Sequence, residues 1–223
     1  MRRYCYPNHH RELQVSEQDS NWKYADYIVT ESEAIAKARA QSLELGIEPL
    51  SPAMGAQVAV LTAATNAQNI VEIGTGAGVS GLWLLRSSPR SVLTSIDSEV
   101  EHLGYARQAF SDARIAPNRI RLITGKALEV LPRMNENSYD VVYVDADPAQ
   151  VIENVEHGLR LARVGGTVLV PHALWRGRVA DPAQRDDITS AFRTLVQEIA
   201  SSNAVVSALS PVGDGLLQIT KLG

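Results

Sequence analysis

Beyond residue 68 the chain alternates strand-like and helix-like runs, and this alternation constrains its fold more than any other feature. The runs are "NIVEIG" (69–74), "GVSGLWLLRSS", "SVLTSID" (91–97), "SEVEHLGYARQAFSDA", "RIRLITG" (119–125), "KALEVLPRM", "YDVVYVDAD" (139–147), a helix through about Leu161, "GGTVLVPH" and the long "PAQRDDITSAFRTLVQEIASS". Such repetition builds βαβ units and a largely parallel sheet. The ending differs. "AVVSALSPVGDGLLQITKL" holds two strands joined around Gly213-Asp214-Gly215, a link too short for a crossover, so they pair as an antiparallel hairpin. The expected fold is α/β: a doubly wound, mostly parallel seven-stranded sheet with a C-terminal antiparallel strand.

Two helices precede the sheet. "TESEAIAKARAQSLELG" opens on a capping-box pattern, Thr30 with Glu33, and Gly46 is placed to stop it. "SPAMGAQVAVLTAATNA" has Ser51 as its cap and Pro52 at its first position. Residues 1–29 read as a polar arm. Residues 30–223 read as a single domain, with helices over 30–66 and the α/β core over 67–223. At 223 residues, 45% hydrophobic and 21% charged, the chain suits one globular domain. A net charge of −4 gives no basic footprint for nucleic acid. The single cysteine, Cys5, permits no internal disulfide and fits a reducing cytoplasm. "MRRYCYPNHHRELQ" has no apolar run after its arginines, so it is no secretory signal. No stretch reaches the roughly 18 apolar residues of a membrane span. Asn8-His9-His10 and Cys5 read as parts of a solvated arm rather than as metal or catalytic groups. His102 and His157 read as solvated helix positions.

The chemistry concentrates in "VEIGTGAGVSG" (71–81), between one strand and one helix. Glycines at 74, 76 and 78 allow a sharp turn and close approach to a ligand. In an open parallel sheet, ligands bind beyond the carboxyl ends of the strands. Asp97 ends the next strand, where a carboxylate can accept from ribose hydroxyls. Gly76-Ala-Gly78-Val-Ser-Gly81 also satisfies the dinucleotide pattern G-x-G-x-x-G, so the glycines alone admit a nicotinamide cofactor. Glu72 favours S-adenosylmethionine instead. It could meet the ammonium of a methionine moiety, whereas it would repel a pyrophosphate. The antiparallel ending favours the same cofactor.

The chain resembles the S-adenosylmethionine-dependent O-methyltransferases of the class I, Rossmann-like fold, in the caffeoyl-CoA and catechol O-methyltransferase branch. The likeness runs from about residue 30 to the end and rests on "SPAMGAQVAVL", "VEIGTGAGVSGLWLL", "LTSIDSEVEHLGYARQAF", "YDVVYVDADP" and "GGTVLV…LWRG", in order and spacing. It implies that Glu72, Gly74, Thr75, Gly76 and Ser80 surround the methionine part of the cofactor, with Leu50 lining that pocket. Asp97 would hold the ribose, with Ser98 beside it. Lys126 and Ala127 would border the adenine. Asp145 would sit under the methyl-transfer centre as a metal and acceptor ligand, Asp147 would lie near the sulfonium, and Trp175 would wall the acceptor. Relatives of this kind are usually homodimers.

The chain also departs from that pattern. Where the family has Asp-Asn, which binds a divalent cation together with the first acid of "DAD", this chain has Pro171-His172. Where the family has a lysine after "DAD", it has Pro148. Asp145 and His172 remain as candidate metal ligands, a poor set for magnesium but tolerable for zinc, manganese or iron. His172 can be a general base, a ligand, or a space-filling partner of Asp145. "DAD" can also be read as a helix cap. The expectation is a cytoplasmic O-methyltransferase that moves a methyl group to a hydroxyl of a small, catechol-like acceptor, with Asp145 and His172 as its catalytic pair. A non-catalytic S-adenosylmethionine-binding protein and an NAD-dependent oxidoreductase are the alternatives.

Overall fold

A computed structural model describes residues 20–86 and 89–223. Cys5 and the Asn8-His9-His10 tract lie outside the described residues. Residues 20–27 are helical (α1). Helices α2 (Glu33–Glu44) and α3 (Pro52–Ala64) lead into the alternating part. It runs β1 (Asn69–Ile73), α4 (Val79–Arg86), β2 (Val92–Asp97), α5 (Val100–Asp112), β3 (Ile120–Thr124), α6 (Ala127–Val130) and β4 (Tyr139–Val144). Then follow α7 (Val151–Leu161), β5 (Ala162–Val170), α8 (Asp187–Ser201), β6 (Val205–Ser210) and β7 (Leu216–Lys221).

The sheet has seven strands in the order β3-β2-β1-β4-β5-β7-β6. β3, β2, β1, β4 and β5 are parallel, and β7 lies antiparallel between β5 and β6. The expected doubly wound sheet with its antiparallel ending is therefore present. Strand order reverses between β1 and β4, the point at which such sheets open a crevice for ligands. Both faces are covered, and β1 is buried from Ile70 to Ile73. One core cluster packs α2, α3, α4 and α5 against one face, around Met54, Trp83 and Phe110. The other packs α7 and α8 against the opposite face, around Val142, Val168 and Phe192. Among the described residues no helix is long and apolar enough to cross a membrane.

Local starts and stops mostly follow the expected chemistry. Ser51 caps α3, accepting from Met54 N at 3.4 Å, and Gly46 ends the α2 region at φ 72°. The cap of α2 is corrected from Thr30 to Ser32, which accepts from Ile35 N at 3.4 Å. The competing side of the turn is occupied: Glu31 pairs with Arg39, whose Nη1 also donates to the Leu50 carbonyl at 2.7 Å. α8 begins at Asp187, not at Pro182, because Asp186 accepts from Thr189 N at 3.0 Å. Upstream of α2, Asp26 accepts from Ala53 N at 2.8 Å, and Val29 packs on the core.

Candidate active site

The carboxyl ends of β1, β2 and β4 surround a cavity of about 620 Å³, a volume usual for small-ligand sites. Its wall includes Gly74, Gly76, Asp97, Ser98, Ala127, Asp145 and Asp147, seven of the residues expected at the cofactor. A neighbouring recess of about 80 Å³ is lined by Leu50, Thr75 and Ser80, and again by Gly74, Gly76 and Asp145. Glu72 lines neither hollow; it lies fully buried behind them on β1.

Backbone geometry makes the glycine turn. Gly74 N donates to Ile96 O at 2.9 Å, and Asp145 N donates to Ile73 O at 2.8 Å, which draws the three strand ends together. Gly74 has φ 94°, and a Cβ there would lie 1.8 Å from the Asp145 carbonyl oxygen. No other residue type fits, in space or in backbone conformation. The Asp97 carboxylate holds the loop: one oxygen accepts from Thr75 N at 3.0 Å and from Gly76 N at 2.9 Å. Its other oxygen accepts from Glu99 N at 2.9 Å and lies 3.3 Å from His102 Nδ1. His102, read from the sequence as a solvated helix position, thus turns toward the cavity and lines it.

Glu72 has an unusual environment. Ser95 Oγ donates to one of its oxygens at 2.5 Å, and the Thr75 hydroxyl lies 2.6 Å from Ser95 Oγ. The other oxygen, Oε1, has no hydrogen-bond partner. Burial pushes the Glu72 carboxyl up to about 8, with Asp145 and Asp97 adding to the rise and the hydroxyls of Ser80 and Ser95 opposing it. Such a carboxyl, neutral while buried alone and with one oxygen unused, is poised to ionise against a cationic group bound in front of it. Ser95 was not evident from sequence; inward alternation on β2 was the only signal available.

The corner beyond β4 and β5 is built differently. β4 stops at Val144, so Asp145 and Asp147 lie past its end, short of the expected strand limit. Asp145 forms part of the cavity wall and is half-buried. Desolvation raises its carboxyl above the usual range, opposed by His172 and by the Tyr143 hydroxyl, which donates to it at 3.5 Å. Asp147 accepts from Ala149 N at 3.0 Å, so it does cap the turn that leads into α7, and it also borders the cavity. β5 ends at Val170. The turn that follows places His172, Trp175 and Arg176 at φ 56°, 45° and 56°. Such values are uncommon outside glycine and cluster at functional sites. Trp175 stacks on Phe192 of α8 with centroids 5.3 Å apart, and both border a small hollow of about 40 Å³ with Asp145 and His172.

His172 Nδ1 lies 3.6 Å from Asp214 Oδ2. Burial alone would lower the imidazole pKa, but Asp214, Asp145 and Glu48 outweigh it and raise the value above the ordinary one. Asp214 and Glu48 were not singled out in the sequence. Among the described residues no three His, Cys, Asp or Glu side chains gather into a metal-holding group. Asp145 and His172 alone do not fit the oxygen-rich set that magnesium requires.

A glycine-cradled crevice at the reversal of a 3-2-1-4-5-7-6 sheet, backed by a buried carboxylate, defines the methyltransferase class of α/β proteins. The O-methyltransferase family model matches residues 26–222, and the chain belongs to that family. A Mycobacterium marinum protein named as a candidate O-methyltransferase is 44% identical over 195 residues, 87% of each chain. A Corynebacterium glutamicum crystal structure superposes with a TM-score of 0.86 at 29% identity, covering 93% of this chain and 98% of the other. The O-methyltransferase TomG of Streptomyces achromogenes, involved in tomaymycin synthesis and solved with S-adenosylmethionine, gives a TM-score of 0.79 at 27% identity, covering 90% and 95%. The nicotinamide reading of the glycines is thereby set aside.

Proposed function

We propose that this chain moves a methyl group from S-adenosylmethionine to a hydroxyl of a small aromatic acceptor. The observation that carries the reading is the pairing of the glycine cradle with the orphan oxygen of Glu72, behind the cavity of about 620 Å³. When bound, S-adenosylmethionine supplies an electrophilic methyl group on a sulfonium. Glu72, Gly74, Thr75, Gly76, Ser80 and Leu50 would hold its methionine end. Asp97 and Ser98 would hold its ribose, and Ala127 would border its adenine. Asp145 and Asp147 would flank the reacting centre. The stacked pair Trp175 and Phe192 supports an aromatic acceptor, because it offers an apolar wall beside Asp145 and His172. We take residues 30–223 as the catalytic domain, acting in the cytoplasm as a homodimer on a small molecule rather than on nucleic acid or membrane. The net charge of −4 supports the last part.

Incubation with methyl-labelled S-adenosylmethionine and a panel of catechols and other phenols tests this. A labelled aryl methyl ether is the expected product. Tight binding of S-adenosylhomocysteine with no methyl transfer to any member would favour a non-catalytic binding protein. Pro148, in place of the family's lysine, is the feature that keeps that second reading in view.

A further inference from the structure

A phenolic hydroxyl has a pKa near 10 and must lose its proton to attack a methyl group. A bound magnesium ion can do this, but Asp145 and His172 do not offer its oxygen-rich set, and among the described residues no third His, Cys, Asp or Glu joins them as a metal-holding group. The register of the sheet brings another group there. β5 and β7 pair antiparallel with Val170 opposite Leu217, so two residues further on His172 stands opposite Gly215. The β6–β7 turn is stapled to the corner by backbone bonds, Ala173 N to Gly215 O at 3.0 Å and Leu174 N to Asp214 O at 2.9 Å. Asp214 Oδ1 accepts from Arg176 N at 2.6 Å, which fixes the carboxylate, and its Oδ2 faces His172 Nδ1 at 3.6 Å. The other ring nitrogen, Nε2, has no hydrogen-bond partner among the described residues, and the ring borders the same hollow as Asp145 and Trp175. A carboxylate 3.6 Å from Nδ1, with Nε2 on the other side of the ring, is close to the arrangement of an oriented imidazole base.

We infer that His172 is the acceptor-facing general base and that Asp214 is its positioning residue, so that this chain deprotonates its acceptor without a divalent cation. The inference rests on reading the large cavity as the S-adenosylmethionine site. His172 Nε2 takes the hydroxyl proton. The acceptor oxygen forms a bond to the methyl carbon as the carbon–sulfur bond breaks, and the electron pair stays on sulfur. S-adenosylhomocysteine and the methyl ether leave, and His172 then gives its proton to solvent. The charged groups facing His172 are Asp145 beyond β4, Asp214 on the β6–β7 turn and Glu48 on the α2–α3 loop. Arg176 on its own turn is held by Glu48 at 2.8 Å.

The test uses the full chain, with catechol as acceptor and EDTA as chelator. The expected result is a rate unchanged by EDTA, falling about 100-fold or more in His172→Gln and at least about tenfold in Asp214→Asn, with the KM for S-adenosylmethionine unchanged. Asparagine retains an acceptor for Arg176 N but loses the charge, so the acidic limb of the kcat–pH profile shifts to lower pH. Asp214→Glu restores part of the rate. A second readout is independent of turnover. The ring resonance that disappears in His172→Gln titrates above 6.5 in the native chain and lower in Asp214→Asn. Loss of activity in EDTA with recovery in magnesium, manganese, zinc or ferrous iron would overturn the inference. So would a native rate in His172→Gln, an unmoved titration in Asp214→Asn, or no methylation of catechol by a chain that binds S-adenosylhomocysteine. If S-adenosylhomocysteine does not bind at all, the underlying cofactor reading fails instead.

Discussion

At the carboxyl ends of β1 and β2 the ligand-facing surface is shaped by backbone; at the ends of β4 and β5 it is shaped by side chains in a strained turn. The first region is a glycine loop whose amides are held by Asp97 and whose path leaves no room for a Cβ at Gly74. The second is a turn with three non-glycine residues in left-handed conformation, where His172 faces a carboxylate from a hairpin 42 positions away. A shared cofactor demands the first kind of construction, because any substitution that disturbs the loop disturbs binding. A variable acceptor allows the second, because a turn can exchange side chains while the sheet stands.

The sharpest way to break this contrast is Gly74→Ala. A methyl 1.8 Å from the Asp145 carbonyl must push β1 and β4 apart. We expect S-adenosylhomocysteine affinity to fall by a factor of about 100 and stability by roughly 3 kcal/mol, read by calorimetry and urea denaturation. Glu72→Gln probes the buried carboxyl in the same region. With its carboxyl pushed up to about 8 from 4.5, native Glu72 stays protonated where the unfolded chain has already ionised. The ligand-free protein therefore has its full Glu72-linked stability below about pH 4.5 and loses it as pH rises toward 8, by roughly 4 kcal/mol over that window. Urea midpoints measured from pH 5 to 8 should fall in the native chain and fall less steeply in Glu72→Gln, where the raised Asp145 and His172 still contribute.

Gly215→Ala carries the comparison to the other region. A Cβ there would lie 2.6 Å from Leu174 Cγ and 2.9 Å from Leu174 N, at φ 87°. It should cost about 2 kcal/mol and lower the methylation rate while sparing S-adenosylhomocysteine binding. If cofactor affinity falls as far as the rate does, the two regions are not separable. The smallest effect is expected from Asp26→Ala. It removes the carboxylate that accepts from Ala53 N and should cost about 1 kcal/mol by thermal denaturation, with no change in cofactor affinity.

The sequence was legible where local chemistry decides. The strand-end acids, the glycine spacing, Ser51-Pro52 and the terminal hairpin all announce themselves within a few residues. Legibility failed where the deciding partner is distant. Thr30 and Ser32 are both competent caps, and the Glu31–Arg39 pair, eight positions apart, selects the second. His102 reads as a surface position until Asp97 is seen beside it. Ser95 meets Glu72 only because β1 and β2 pair in that register, Glu72 opposite Ser95. Asp214 meets His172 only because β7 inserts antiparallel beside β5, a placement that no periodicity in either strand encodes.

The measurement that bears most directly on the central claim is a calorimetric titration of S-adenosylhomocysteine into the native chain and into Gly74→Ala. The account predicts one molecule bound per native chain at micromolar affinity or better, and binding lost or weakened about 100-fold in the variant. Equal binding by both chains, or none by the native chain, would contradict the assignment of this cavity.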